Sequence, residues 1–322
     1  MEIKKKISLV VSFRNEEEVI DEFINETTEV LNKISDLDYE IIFVNDGSKD
    51  DSLKKLIIHH NENKKIKIID MSRRFGPMES IMAGIKMSSG DAVVNIDIDL
   101  QDPPSLIPEM VKEWRDNNSD VVFTTRTKRQ GESTVRKVIS SVGYKILRYA
   151  SNIPIEKDSG DFRLISKRVI DEYKKFSEVY PFFRFLTDWV GFKRAQIFYE
   201  RRPRRMGKTK HPTRLNLLYD FFEISLMPFT DLPIRLALMF GLISFIICAV
   251  VLLRTLFLHF TGVPDFSTTL IFVTILGFGS VQTLTMGIMF VYVGSIFKEI
   301  KKRPLYIINK VYGFERETLI KK

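Results

Sequence analysis

The chain has 322 residues, of which 44% are hydrophobic and 28% charged, and this length predicts about two structural units. Such a composition excludes a disordered chain and a fibrous repeat. Basic residues exceed acidic ones by eight, and seven of the basic residues fall in the acid-free segment 201–214. The charge therefore predicts a local anion-binding segment, and nucleic acid is not an expected partner. Cys248 is the only cysteine, which excludes an intrachain disulfide.

The first 125 residues alternate short apolar runs with helical patterns. Strands are predicted at residues 7–13, 39–44, 66–70, 91–96 and 120–125. Helices are predicted between them, at residues 16–33, 51–60, 78–87 and 105–117. This alternation predicts an α/β domain with a parallel sheet covered on both faces. Ligands bind at the carboxyl ends of the strands in such sheets, so we expect functional residues in the loops there.

The loop after the fourth predicted strand contains Asp97, Asp99 and Gln101, and two prolines end it. Oxygen ligands in this pattern suit Mg²⁺ or Mn²⁺, which usually keep substrate phosphates in their coordination shell. The same pattern also fits a solvated strand end whose acids only turn the chain. The spacing leaves both interpretations open.

Two further acidic motifs are ambiguous by themselves. Asp46 lies in an Asn-Asp-Gly-Ser sequence after the second predicted strand, which fits either a nucleotide contact or an ordinary turn. Asp158 and Asp161 lie on either side of Gly160, close to Arg163. This second motif fits either a functional pair of carboxylates or a salt-bridged turn.

Basic residues also have two interpretations. Arg204, Gly207 and Lys210 are spaced so that a loop could wrap phosphates, but a basic flank of a membrane span fits as well. Arg136 and Ser140 are four residues apart in a helical pattern at 133–150, so they share one helix face.

Two long apolar runs lie near the C-terminus. Residues 236–253 and 266–297 carry no charge over 18 and 32 residues, and each is long enough to cross a hydrocarbon core of about 30 Å. A pair of buried helices in a soluble protein is the alternative. The link between them has no lysine or arginine, and basic residues flank the pair, so both ends are predicted to be cytoplasmic. A leucine- and phenylalanine-rich helix before the first run is predicted to lie in the membrane interface.

Seven segments match one family in order: SFRNE at 12–16, VNDGS at 44–48, SRRFG at 72–76, DIDLQDPP at 97–104, GDFRL at 160–164, RRMGKTK at 204–210 and RPLY at 303–306. Together they resemble family 2 glycosyltransferases of the polyprenyl-phosphate (dolichol-phosphate mannose synthase-like) branch. The chain is most similar to bacterial undecaprenyl-phosphate glucosyltransferases with two C-terminal membrane helices. It departs from the usual family pattern at Ser12, Arg14 and Arg74, in the motifs that the family uses for the nucleoside.

The resemblance implies an α/β fold of the GT-A type with a mostly parallel central sheet, followed by interfacial helices and a two-helix transmembrane hairpin. The expected domains are a cytosolic glycosyltransferase domain at 1–212, an interfacial helix at 213–230, two transmembrane helices at 231–298 and a cytosolic tail at 299–322. The expected location is the cytoplasmic membrane, crossed more than once, with the catalytic domain in the cytoplasm. Self-association stays open.

The family also implies roles for single residues. The catalytic carboxylate would be Asp161, with Asp158 as the alternative. The expected metal ligands for Mg²⁺ or Mn²⁺ are Asp97, Asp99 and Gln101. The nucleotide sugar would be bound by Ser12, Arg14, Glu16, Asp46 and Asp97. The acceptor phosphate and the diphosphate would be bound by Arg126, Arg136, Ser140, Arg204 and Lys210.

The implied reaction is an inverting transfer of a hexose from a nucleotide sugar, UDP-glucose or a related UDP-sugar, to undecaprenyl phosphate for cell-envelope glycan modification. The sugar and the nucleotide stay open. One alternative is a processive membrane polysaccharide synthase, but the Gln-x-x-Arg-Trp motif of those enzymes is missing, since neither Trp114 nor Trp189 follows an arginine. The other alternative is a non-catalytic protein that binds a nucleotide sugar or a lipid carrier.

Overall fold

A computed structural model describes residues 4–34, 36–127, 159–176, 183–202, 232–261 and 267–314. The chain divides into two compact units. One unit contains the sheet and includes the C-terminal residues from Pro304, and the other contains the two apolar helices. The predicted interfacial helix at 213–230 lies outside the described residues.

Eight strands and eight α-helices are present in the described part of the chain. The strands are β1 Lys5–Phe13, β2 Leu37–Asn45, β3 Ile66–Met71, β4 Ala92–Asn95, β5 Val121–Arg126, β6 Ser159–Ser166, β7 Arg194–Tyr199 and β8 Ile308–Tyr312. The helices are α1 Ile20–Asn32, α2 Ser52–Glu62, α3 Pro77–Met87, α4 Ile107–Arg115, α5 Lys167–Tyr173, α6 Phe183–Trp189, α7 Leu232–Thr261 and α8 Ser267–Ile300.

The strands form one sheet in the order β7-β5-β6-β4-β1-β2-β3-β8. Strands β4, β1, β2 and β3 are parallel, as are β5 and β7. Strand β6 runs antiparallel to both β4 and β5, and β8 runs antiparallel to β3. The prediction of a mostly parallel sheet is confirmed, with the five predicted strands in place within a few residues.

The core follows from continuous apolar strands between helices. Ile7, Leu9, Val10 and Val11 of β1 are all fully buried, as expected for a central parallel strand covered on both faces. Helix α3 packs closely on this strand through Gly84, where a Cβ atom would lie 2.4 Å from Val10 Cγ1. Close packing of this helix therefore depends on a glycine at position 84.

The helices α7 and α8 contact each other and have 30 and 34 residues. Both are long and apolar enough to cross a membrane, and the most apolar stretch of each is not buried within the protein. Their hydroxyls bond back to the helix, as in Thr255 to the Val251 carbonyl (2.9 Å) and Thr274 to the Leu270 carbonyl (2.7 Å). In a lipid environment, polar groups must form their hydrogen bonds within the protein, because no water is available to them.

The C-terminal residues differ from the expectation of a separate tail. Helix α8 ends at Ile300, and Ile308–Tyr312 then joins the sheet as β8, with Asp70 opposite Lys310 and Ile68 opposite Tyr312. The sequence analysis did not predict this strand, because its five residues are too few to show a clear alternation of apolar and polar side chains.

Candidate functional site

The ends of three parallel strands bring the predicted site residues to one edge of the sheet. Phe13 lies opposite Asn45 at the ends of β1 and β2, and Val10 lies opposite Asn95 at the end of β4. Because β6 is antiparallel to β4, its first residues lie at the same edge, and Asn95 Nδ2 donates to the Asp161 carbonyl (2.8 Å). Residues far apart in the sequence thus meet at this edge.

Asp46 holds the loop between β3 and α3. Its carboxylate is buried, and Oδ1 accepts hydrogen bonds from the backbone N–H groups of Phe75 (2.6 Å) and Gly76 (3.2 Å). The neighbouring Gly47 has a φ of +63°, and a Cβ there would lie 2.7 Å from the Arg74 nitrogen. The close approach of these two loops therefore requires glycine at position 47.

A second set of hydrogen bonds fixes the loop after β1. Ser48 Oγ accepts from the Asn15 N–H (2.9 Å), and Asn15 Oδ1 accepts from the Lys49 N–H (2.8 Å). Ser52 Oγ accepts from the Glu16 N–H (3.0 Å). The predicted donor residues Ser12, Arg14 and Glu16 lie on or beside this loop and are partly exposed. Hereafter "the donor half" means the loops 12–16, 45–49 and 72–76.

The other half of the edge is acidic. Burial, together with the nearby Asp102, Asp99 and Asp161, raises the pKa of Asp97 to about 7. Arg201 opposes this effect but does not cancel it. Four carboxyl groups therefore share one small region, here called "the acidic half", and their proximity makes the ionised form of Asp97 less favourable.

Asp161 stays ionised because an arginine lies against it. Arg184 on α6 places Nε 3.4 Å from Asp161 Oδ1 and a terminal nitrogen 3.3 Å from Oδ2. Burial alone would raise the pKa of Asp161, but Arg184 and Arg163 bring it below its usual value. Sequence reasoning missed Arg184, since no motif marks this position.

Arg163 fixes the helix that carries Arg184. The guanidinium of Arg163 is fully buried, and it donates to the Asp188 carboxylate (3.3 Å), the Arg184 carbonyl (3.1 Å) and the Thr187 hydroxyl. All three partners lie on α6. The arginine of the Gly-Asp-Phe-Arg motif is thus a structural anchor beside Asp161.

Asp102 connects the acidic half to β7. Its Oδ1 accepts the Tyr199 hydroxyl and lies 3.4 Å from Arg201 Nε. Arg126, predicted to bind phosphate, donates from Nε to the Tyr199 hydroxyl (3.2 Å). Burial and Asp102 both raise the pKa of Tyr199, so its hydroxyl stays protonated. Asp102 was visible in the sequence motif, but its partners were not.

Gln101 contacts the start of the basic segment. Its backbone N–H donates to Asp99 Oδ1 (3.2 Å), its carbonyl accepts from the Arg202 N–H (3.0 Å), and Nε2 lies 3.5 Å from the Arg202 carbonyl. The basic segment therefore begins beside the acidic half. Five predicted site residues lie outside the described residues: Asp158, Arg136, Ser140, Arg204 and Lys210.

Comparison with known proteins establishes the family. The sequence profile of glycosyl transferase family 2 matches residues 8–174. The chain belongs to this family. It is 40% identical over 316 residues to the uncharacterized glycosyltransferase YkcC of Bacillus subtilis (strain 168), covering 97% of this chain and 96% of the relative. It is 32% identical to a prophage bactoprenol glucosyl transferase homolog of Escherichia coli (strain K12), covering 95% and 99%.

The chain is also similar to a solved structure. A glucosyl-3-phosphoglycerate synthase from Mycobacterium tuberculosis, solved with Mn²⁺, UDP and glucosyl-3-phosphoglycerate, is 20% identical, with a TM-score of 0.43 over 67% of this chain and 76% of that chain. The family match and the observed sheet show that the protein is a glycosyltransferase with a mostly parallel α/β fold, which confirms the predicted family, fold class and enzyme class.

The acidic half of this glycosyltransferase fits a divalent cation. Asp97 and Asp99 supply carboxylates, and the buried Oδ1 of Asn95 accepts no hydrogen bond from the described part of the chain. Within the same described residues, no group of three or more His, Cys, Asp or Glu side chains is arranged to hold a metal. Two carboxylates therefore suit a cation whose remaining ligands come from substrate phosphates and water.

Proposed function

We propose that this glycosyltransferase transfers a hexose from a nucleotide sugar, UDP-glucose or a related UDP-sugar, to polyprenyl phosphate, with inversion and with a divalent cation. The product would serve cell-envelope glycan modification. The observation that carries the proposal is the acidic half, where Asp97 and its neighbouring carboxylates lie beside Arg126 and Arg184. Such a site suits a reaction between two anions. The similarity to proteins named bactoprenol glucosyl transferases supports the lipid acceptor.

The proposed reaction does not need a strong general base. A lipid monophosphate is already anionic at neutral pH, so the harder tasks are holding two anions together and stabilising the leaving nucleotide diphosphate. Mg²⁺ or Mn²⁺, when bound, would neutralise the diphosphate. Asp97 and Asp99 would hold the cation, with Gln101 as the third proposed ligand.

Asp161 acts as an orienting carboxylate in this proposal. The guanidinium of Arg184 keeps it ionised and contacts both of its oxygens, so it can accept a hydrogen bond from a substrate hydroxyl and orient that group. Asp158 is the alternative carboxylate. Arg126 lies where it can receive a phosphate, and we assign the same role to Arg136, Ser140, Arg204 and Lys210.

The donor half binds the nucleoside in this proposal. Asp46 Oδ1 is engaged by two backbone N–H groups, which leaves Oδ2 for the nucleoside. Ser12, Arg14 and Glu16 line the adjoining loop, and Asp97 would contact the nucleotide sugar as well as hold the cation. These loops are fixed by protein hydrogen bonds, so little ordering would be needed when the nucleotide arrives.

The lipid acceptor requires the membrane. We propose that α7 and α8 span the cytoplasmic membrane, that the sheet domain at 1–212 is cytoplasmic, and that residues 213–230 lie in the membrane interface. Each basic residue near the inner leaflet contributes on the order of 1 kcal/mol to this orientation. In a Cys248→Ser background, a cysteine replacing Thr261 should react with an impermeant reagent in intact cells. A cysteine replacing Lys310 should not react, and its labelling would contradict the orientation.

A donor panel tests the reaction itself. The purified full chain is incubated with undecaprenyl phosphate, Mn²⁺ and UDP-glucose, UDP-galactose, UDP-N-acetylglucosamine or GDP-mannose, and the lipid products are identified by mass spectrometry. We expect a monophosphate lipid carrying one hexose from a UDP-sugar. Chains of several sugars would favour a processive synthase. Nucleotide binding without any lipid product would favour a non-catalytic binding protein.

A further inference from the structure

Strand β8, which follows the second apolar helix in the chain, lies beside the strand that leads into loop 72–76 of the donor half. Strand β8 pairs with β3, and beyond the end of β3 the Ser72 N–H donates to the Ile307 carbonyl (2.9 Å). The register shifts between Asp70 and Met71. Irregularities of this kind redirect side chains at a sheet edge. The loop 72–76, which bonds to Asp46, is therefore attached to the segment before β8.

One buried carboxylate joins β8 to β2. Asn309 Nδ2 donates to Asp70 Oδ2 (2.8 Å), and Asn45 Nδ2 donates to Asp70 Oδ1 (2.8 Å). Asp70 is only 7% exposed. Loss of the Asn309 donor would leave a buried carboxylate oxygen without this bond, which is costly for a charged group.

The hydrogen bonds continue from Asn45 into the donor loops. Asn45 Oδ1 accepts from the Ser48 N–H (3.0 Å), and Ser48 Oγ accepts from the Asn15 N–H (2.9 Å). Asn15 has a φ of +53°, a conformation that needs support from its surroundings. An unbroken series of side-chain bonds thus runs from Asn309 through Asp70, Asn45 and Ser48 to the loop that carries Arg14 and Glu16.

We infer that Asn309, on β8, is a positioning residue for nucleotide-sugar binding at the donor half. It acts through Asp70 and Asn45 on the loops 45–49 and 12–16. Its amide is not required to cover the core, since Asn309 lies on an exposed edge strand. The inference rests on the proposed function, because it needs a nucleotide sugar to bind at the donor half.

The first experiment replaces Asn309 in the full chain in detergent and measures UDP binding by calorimetry and the two Michaelis constants by transfer assay. Asn309→Ala should weaken UDP binding and raise the KM for the donor, each by about tenfold, because one hydrogen bond to a charged group is lost. The KM for undecaprenyl phosphate should change less than twofold. Lys310→Ala is the matched control: its ammonium lies over the Tyr312 ring, and it should leave all three values unchanged.

A second pair of variants separates positioning from loss of stability. Asn309→Asp places two carboxylates together and should weaken UDP binding more than Asn309→Ala does. Adding Asp70→Asn to Asn309→Asp exchanges the two side chains, so that the amide at position 70 can donate to the carboxylate at position 309. The double variant should therefore bind UDP more tightly than Asn309→Asp or Asp70→Asn alone. Melting temperatures are measured for every variant.

The outcomes distinguish this inference from the proposed function. If wild-type protein binds UDP and Asn309→Ala binds it equally well, β8 has only a structural role and the inference is overturned. Failure of the double variant to improve on the single variants would overturn it as well. If the wild type binds neither UDP nor GDP, the proposed function fails and the inference fails with it.

Discussion

The two halves of the site differ in how their acidic groups are neutralised. In the donor half, Oδ1 of Asp46 accepts two backbone N–H groups, and beside this half the carboxylate of Asp70 accepts two asparagine amides. In the acidic half, Asp97 faces Asp99, Asp102 and Asp161, and the pKa of Asp97 rises to about 7. The Asp46 and Asp70 carboxylates are thus held by hydrogen-bond donors of the protein, whereas Asp97 lies among other carboxyl groups.

This difference indicates which half depends on a cation. Loops held by several hydrogen bonds of their own keep their geometry with or without a ligand. Clustered carboxylates repel one another until a positive charge is added.

The largest effect is expected at Asp99. Asp99→Asn removes one of two proposed carboxylate ligands and should lower transfer on the order of 100-fold or more, as loss of a group that stabilises transition-state charge does. The transfer assay measures this, and UDP binding to the donor half should persist in the variant. Full turnover of wild-type protein in excess chelator would show that the acidic half works without a cation.

A second prediction concerns the anchor beneath the acidic half. Asp188→Asn leaves the buried Arg163 without its carboxylate and should destabilise the protein by about 3–5 kcal/mol. The matched control is Asp171→Asn, because Asp171 pairs with Lys167 at half-exposed positions and should contribute less than about 1 kcal/mol. Thermal unfolding compares the two, and equal shifts would contradict the role of the buried cluster.

A third prediction concerns Glu40, a buried acid whose pKa is lowered, in contrast to the raised pKa of Asp97. Burial would raise the pKa of Glu40, but hydrogen bonds from Lys67, Ser8 and Ser89 lower it to about 2. Its contribution to stability, about 3 kcal/mol, is present above the unfolded-state pKa near 4.5 and is lost as the pH falls towards 2. As the pH falls from about 5 to about 3, the melting temperature of the wild type should therefore fall more steeply than that of Glu40→Gln. Parallel curves would count against this assignment.

The smallest effect is expected at Gly47 in the donor half. Gly47→Ala combines a φ of +63° with a Cβ 2.7 Å from a backbone nitrogen, so we expect a loss of about 1–3 kcal/mol and weaker UDP binding. Gly191→Ala is the control, since its φ is +72° but its nearest new contact is 3.9 Å away. The difference between the variants isolates the loop contact, and no difference would mean that the loops can separate freely.

Much of the fold could be predicted because its signals are local. The five predicted strands are apolar runs separated by helical patterns. The motifs that follow β1, β2, β3 and β4 lie at the carboxyl ends of these strands, as expected. The roles of Asp97 and Asp161 came from the family resemblance, and their proximity was not predicted, since β4 and β6 pair across a long stretch of chain.

The missed features depend on pairings between distant segments. Arg184 has no sequence signal, because its role arises when the buried Arg163 holds α6 beside Asp161. The contact of Tyr199 with Asp102 depends on β7 lying next to β5. Strand β8 is short, and its place beside β3 follows from tertiary contacts, so no local pattern reports it.

Binding of Mn²⁺, followed by electron paramagnetic resonance of the free ion, tests the central claim most directly. Wild-type protein should bind Mn²⁺ more tightly when UDP is present, because the diphosphate completes the shell that the carboxylates begin. Asp99→Asn should lose this binding while still binding UDP by calorimetry. Equal Mn²⁺ binding by the wild type and Asp99→Asn, with or without UDP, would contradict the assignment of the acidic half as a cation site.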